Sequence, residues 1–332
     1  MAGRTPACPG ATSWSGTGCT SSDDGLPRMT AAARTAAPGR RLPQPLRAAL
    51  QWMLLRGLRA PRMTHEAGWS GDGPGARAMT PFEVRGARGQ RLAAWVALPP
   101  TACAARPVPV VVAVHGWGAN GSTLAPMVEP LVRAGIAVVL FDTASHGDSS
   151  AESFSSLPRF AEDLAAVLAS LGGHPAIDVD RVALLGHSVG AAAVLLHTAR
   201  QGGVRAIVSL SAFAHPGEVM ERWLREHHIP RRWIGAAILE QVQDVIGERF
   251  DRIAPEHQLA CITCPVMLVH GARDRTVPLS DAHRLHARLR RGELLVVEGD
   301  HDLRGSLSPH VDHLVRFFGH TLQTLANPAG SD

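Results

Sequence analysis

The 332-residue chain contains no tyrosine and no lysine, so all 33 of its basic residues are arginine. That bias, beside plentiful Ala, Gly and Pro, reflects coding composition. Nucleic-acid binding would require a basic stripe interleaved with aromatics, and aromatics make up only 5% of the chain. Long apolar runs are also missing: no segment approaches the roughly 18 uninterrupted apolar residues that span a bilayer, which argues against an integral membrane protein. Cysteine is scarce, with five scattered residues. An odd, dispersed set makes a poor disulfide framework, and the reducing cytoplasm is the expected compartment. Cys261 and Cys264 form a C-x-x-C, but Pro265 and the apolar run VMLVH follow, which reads as a strand and not as the helix a redox pair opens. No second pair completes a zinc site.

What is present falls into two parts. Residues 1–79 hold ten Arg against four acidic residues, whereas residues 80–332 hold 23 against 25. The first 45 residues are a Gly/Ala/Pro/Ser/Thr mixture without periodicity, too poor in large apolar groups to offset their ordering entropy, and are expected to be disordered. Arg40-Arg41 lacks the apolar run and cleavage site of an export signal, so this stretch reads as an unprocessed tail or as translation begun upstream of Met29 or Met53. Residues 46–79 read as an amphipathic helix and linker. Within 46–59, Leu50, Met53, Leu54 and Leu58 share one face, suited to packing on the main domain or to peripheral contact with a membrane.

From residue 80 short Val/Leu/Ile runs alternate with Ala/Leu helical patterns, an α/β rhythm. Strands are predicted at 82–85, 91–98, 108–114, 136–141, 181–185, 204–210, 265–270 and 293–297. Helices are predicted at about 122–134, 158–171, 188–201, 278–290 and 307–319, followed by a tail at 321–332. Runs such as VPVVVAV are apolar on both faces, as strands between two helix layers must be. The expected fold is an eight-stranded, mostly parallel, doubly wound sheet, opened by an antiparallel hairpin. Residues 212–262 interrupt the rhythm with helices near 216–228 and 233–248. No internal repeat is evident.

Chemistry concentrates at predicted strand ends. GHSVG, Gly186 to Gly190, lies between the strand RVALL and the helix-forming AAAVLLHTA. Small residues around Ser188 permit a tight strand-to-helix turn that lifts the hydroxyl clear of the sheet and aims helix N-terminal N–H groups at a developing oxyanion. A serine hydroxyl needs a base, and the base an orienting acid. The loop after VMLVHG presents Asp274 and the loop after LLVVEGD presents His301, both on one sheet edge. Asp300 and Asp302 flank His301 too closely in sequence to orient its ring. His283 with His286, and His310 with His313, have helical spacing but no further nearby ligands, so no metal site is expected. His187 points away from its neighbour Ser188. HGWGAN, residues 115–120, follows another buried strand, and its glycines let the backbone turn an N–H toward the serine. The oxyanion hole is assigned to the N–H groups of Trp117 and Val189. His115, Asp142 and His146 read as loop-ordering groups.

These five ordered motifs, HGWGAN, DTASHGDS, GHSVG, HGARDRTVP and GDHDL, resemble the α/β-hydrolase fold enzymes over residues 80–320. The short insertion and CPVMLVHG are similar to the serine aminopeptidase or monoacylglycerol-lipase-like group, many of whose members are carboxylesterases. The resemblance implies a helical lid at about 212–262 over an apolar acyl pocket, with Trp223 and Trp233 as candidate lining residues. It implies two-step acyl transfer with no cofactor and a small ester or related acyl substrate. Amide, peptide or thioester hydrolysis, acyl transfer and perhydrolysis remain alternatives on the same residues, as does a non-catalytic binding protein. Oligomeric state is not readable from the chain.

Overall fold

The computed structural model describes residues 55–66, 69, 79–230 and 234–323, all within one compact unit. Eight strands form one sheet: β1 (Thr80–Arg85), β2 (Arg91–Ala97), β3 (Val108–Val114), β4 (Ala137–Phe141), β5 (Ile177–His187), β6 (Ala206–Leu210), β7 (Val266–Gly271) and β8 (Gly292–Val297). Their spatial order is β1-β2-β4-β3-β5-β6-β7-β8. β2 pairs antiparallel with β1 and with β4, and every other pairing is parallel.

The central strand shows why the sheet sits between two layers. Val110, Val112 and Val114 project to one face, where they meet Phe160 and Leu164 of α2 (Leu157–Ser170) and Leu195 of α3 (Val189–Gln201). Val111 and Ala113 project to the other, against Leu131 of α1 (Val128–Arg133) and Leu314 and Phe318 of α9 (Val311–Gln323). All of these side chains are essentially inaccessible. Each large one contributes about 1.5–3 kcal/mol through burial, so a strand apolar on both faces is held from both sides.

Boundaries moved where local chemistry overrode periodicity. The single helix expected at 122–134 is a 3₁₀ stretch, Gly121–Met127, followed by α1. Pro126 and Pro130 each lack an N–H, and the Asn120 side chain caps the tighter turn by accepting from the Ser122 N–H. α8 (Leu279–His286) is shorter than the expected 278–290. β5 begins four residues earlier than expected, across an irregularity in its pairing with β3. The last helix runs to Gln323, into the stretch read as a tail.

Between β6 and β7 lie α4 (Pro216–Glu226), α5 (Ala236–Ile246) and two single turns, α6 (Phe250–Ile253) and α7 (Pro255–Gln258). α4 starts at Pro216, with the His215 side chain accepting from the Gly217 N–H. Among the described residues no helix is long and apolar enough to cross a membrane. Residues 1–54 and Trp233 lie outside the described residues, and with them the expectations for a disordered extension, for most of the amphipathic helix and for one lid tryptophan.

Candidate active site

β5 ends at His187 and α3 begins at Val189, leaving Ser188 alone to reverse the chain at φ 53° and ψ −117°. A non-glycine residue at positive φ is strained, and the packing around the turn enforces it. A Cβ on Gly190 would collide with the carbonyls of Val114 and His115, so β3 and α3 approach too closely for any side chain. The Ser188 N–H is used structurally, donating to the Leu210 carbonyl at 2.8 Å. Val189, as the first helical residue, has an N–H with no acceptor inside α3.

His301 reaches Ser188 from β8, across two intervening strands. Its loop drops over the end of β7, where a Cβ on Gly271 would collide with the backbone of Gly299 and Asp300. The His301 carbonyl accepts from His187 Nε2 at 2.8 Å and from Ser211 Oγ at 3.0 Å. With the backbone pinned at both donors, His301 Nε2 lies 3.0 Å from Ser188 Oγ and His301 Nδ1 lies 2.8 Å from Asp274 Oδ2. Asp274 Oδ1 accepts from the N–H groups of Thr276 at 2.9 Å and Val277 at 2.8 Å. Burial works to raise the Asp274 pKa, but the His301 ring, the Val277 N–H and the nearby His270 outweigh it and hold the carboxyl below the usual carboxylate range. The structure therefore joins the three side chains singled out in the sequence into one chain of contacts from carboxylate to imidazole to hydroxyl. Such a chain can draw the proton from the hydroxyl as its oxygen attacks an electrophile.

HGWGAN forms the opposing wall. His115 is fully buried, and its Nε2 accepts from the Thr143 N–H at 3.0 Å, which places the ring proton on Nδ1, 2.7 Å from the Gly116 carbonyl. In a trans peptide the carbonyl and the following N–H point in opposite directions. Fixing the Gly116 carbonyl on His115 therefore turns the Trp117 N–H the other way. Burial lowers the His115 pKa and keeps the ring neutral, as this double role requires. His146 is likewise held neutral, its pKa pushed down to about 3 chiefly by burial. Asp142 accepts from the N–H groups of Gly121 and Asp148, both at 2.8 Å, tying the loop after β4 to the loop after β3.

Ser188, Val189, Trp117 and His301 line a cavity of about 1420 Å³ whose other walls come from the insertion, including Val219, Met220, Ile238 and Val242, and from the segments that follow β3 and β8, including Leu124 and Leu307. Trp223 is part of this lining, stacked on His227 with ring centroids 4.1 Å apart. Sequence reasoning missed three contributions. Ser211 and His187 anchor the His301 carbonyl, and neither carries a motif that announces it. Gly57 and Leu58, from the end of the expected amphipathic helix, and Met63, from the expected linker, line the cavity. Cys264 stands before β7 with its thiol pushed up to about 11 by burial, the opposite of what a redox cysteine needs. Among the described residues no cluster of His, Cys, Asp or Glu could hold a metal ion.

Comparison with known proteins bears on the family and the fold. The family profile described as serine aminopeptidase, S33, matches residues 105–245, a span that includes Trp117, Ser188 and Val189 and stops short of Asp274 and His301. The uncharacterized protein YfhR of Salmonella typhi is 27% identical over 208 residues, 58% of this chain and 64% of that protein. The chain thus spans less than two thirds of that relative's length. Esterase YjfP of Escherichia coli is 25% identical over 224 residues, 64% of this chain and 88% of the relative. Among solved structures, the esterase Pf2001 of Pyrococcus furiosus superposes with a TM-score of 0.63 at 17% identity, covering 80% of this chain and 97% of that one. Est1E from Butyrivibrio proteoclasticus, solved with ferulic acid bound, gives a TM-score of 0.56 at 17% identity, covering 73% and 99%.

Proposed function

We propose, from the membership of this chain in the α/β-hydrolase fold family, that it is a serine hydrolase acting on carboxylic esters with an apolar acyl group. The observation that carries the reading is the 3.0 Å approach of His301 Nε2 to Ser188 Oγ, with the opposite ring nitrogen 2.8 Å from Asp274. Ser188 Oγ attacks the ester carbonyl while its proton passes to His301 Nε2. The resulting oxyanion accepts from the N–H groups of Trp117 and Val189, and Asp274 stabilises the imidazolium. The imidazolium returns its proton to the leaving alkoxide, releasing the alcohol and leaving an acyl group on Ser188. Water then gives a proton to His301 as it attacks the acyl carbonyl, and collapse restores Ser188 and frees the acid. No step calls for a metal or an organic cofactor.

The cavity supports a substrate class. Its volume and its aliphatic lining from the insertion suit an acyl chain longer than acetyl, because each methylene moved from water into such a site contributes about 0.8 kcal/mol. The name of YjfP and of the solved esterases supports ester over amide chemistry. The test is hydrolysis of p-nitrophenyl esters from acetate to dodecanoate by the parent and by Ser188→Ala, each shown to be folded. Turnover that rises with chain length beyond acetate and disappears in Ser188→Ala is expected. Faster turnover of aminoacyl p-nitroanilides than of any ester would replace the reading with a peptidase.

A further inference from the structure

Residues 57–66 lie upstream of everything the family profile matches, yet they are built into the site. The Leu58 carbonyl accepts from the Ser155 N–H at 2.9 Å, and the Met63 carbonyl accepts from Asn120 Nδ2 at 3.1 Å. Arg62 Nη2 donates to the Ser149 carbonyl at 2.6 Å, and the Glu66 N–H donates to Ser122 Oγ at 3.2 Å. Glu66 also pairs at 3.2 Å with Arg304, which stands three residues beyond His301. One segment is thereby tied to the loops after β3, β4 and β8. Its latch is His65. Nε2 stands 2.9 Å from Asp142 Oδ2, and the ring is stacked on Trp69 at 4.7 Å and meets Trp95 edge-on at 5.3 Å. The same Asp142 carboxylate receives the Gly121 and Asp148 N–H groups, so it fixes the strap and both loops at once.

We infer that residues 57–66 are a specificity-determining strap: Leu58 and Met63 form a wall of the acyl pocket beside the 116–122 loop, and His65 latches that wall to Asp142. This rests on the ester reading above for its substrate, but the wall exists in the cavity whatever bond is cleaved. Gly57, Leu58 and Met63 share the lining with Trp117, Ala119 and Thr123 of the loop they cross. A segment that merely stabilised the domain would, when truncated, lower stability and affect every substrate alike. A wall acts differently, because the contacts it loses are made only by acyl chains long enough to reach it.

The deciding quantity is the ratio of kcat/KM for p-nitrophenyl octanoate to that for the acetate, measured in the parent, in Leu58→Ala/Met63→Ala and in His65→Ala. The double truncation is expected to lower this ratio about tenfold, the scale of one or two lost methylene contacts. His65→Ala should lower it in the same direction by raising KM for octanoate more than it changes kcat. A ratio within twofold of the parent's in a folded double variant overturns the inference. Should the double variant not fold, Met63→Ala alone carries the comparison, since Met63 is half exposed. Decanoate binding to Ser188→Ala, with and without the Leu58 and Met63 truncations, by calorimetry separates this idea from the ester reading. About tenfold weaker binding in the truncated protein upholds the strap even if the parent cleaves no ester. Equal affinity, or no decanoate binding with the strap intact, sinks it.

Discussion

Asp274→Asn is the substitution whose consequence the geometry fixes most tightly. Asp274 Oδ1 faces two backbone N–H donors, from Thr276 and Val277, while Oδ2 faces His301 Nδ1. An asparagine amide in this place must turn its oxygen toward the two N–H groups, because its own NH₂ would be repelled there. The NH₂ then points at His301 Nδ1, which must become an acceptor. The ring proton moves to Nε2, where it faces Ser188 Oγ at the 3.0 Å contact. The imidazole is held in the tautomer that cannot take the serine proton. Wrong-tautomer substitutions of this kind cost about 10⁴ in kcat, or about 5.4 kcal/mol of barrier. Saturation kinetics on p-nitrophenyl butyrate, with thermal melts to confirm folding, should show kcat reduced by about that factor and KM little changed. Activity within tenfold of the parent would refute both the assignment of Asp274 and the direction of the proton path.

Three further outcomes follow from the same contacts. Ser188→Gly should raise thermal stability by about 1 kcal/mol, because glycine accepts φ 53° without strain, while abolishing turnover; an unchanged or lower melting temperature would remove the argument for strain at the turn. Gly190→Ala should destabilise the fold by about 1–3 kcal/mol as its methyl meets the Val114 and His115 carbonyls, and a melt indistinguishable from the parent's would contradict that packing. Burial lowers the His65 pKa, but the Asp142 carboxylate outweighs it and leaves the value raised above 6.5, while Asp142 is depressed below 3.8 by His65 and two backbone N–H groups despite its burial. The stabilisation from His65 is thus fully present below pH 6.5 and lost as pH rises through its raised value, and that from Asp142 is present above pH 3.8 and lost as pH falls through its depressed one. His65→Ala should cost about 1 kcal/mol between pH 4 and 6.5 and progressively less at alkaline pH, by melts across that range; a cost that grows with pH would reverse the sign of the argument.

The α/β alternation and the five motifs carried most of the sheet and the positions of Ser188, Asp274 and His301, because each depends on local chemistry that leaves a local trace. A strand buried on both faces must be apolar throughout, as VPVVVAV is, and a strand-to-helix turn this tight needs glycine at Gly186 and Gly190. What remained hidden depends on contacts between distant residues. His65 is one histidine among 17, 77 residues before Asp142, and nothing in its neighbours marks it as a latch. Leu58 was legible as one face of an amphipathic helix, but which surface that face meets is a tertiary fact. Ser211 supports His301 through a hydroxyl at positive φ, a signal that only backbone geometry displays. Helix ends shifted at Pro126 and Pro130 because a missing N–H acts on the hydrogen-bond ladder and not on the apolar period.

The measurement that bears most directly on the central claim is intact-mass and peptide analysis of the protein after reaction with an alkyl fluorophosphonate, alongside His301→Ala and Ser188→Ala. The account predicts a single adduct on the peptide containing Ser188, formed far more slowly in His301→Ala and absent in Ser188→Ala. An adduct on another residue, or equal labelling of a folded Ser188→Ala, would contradict it.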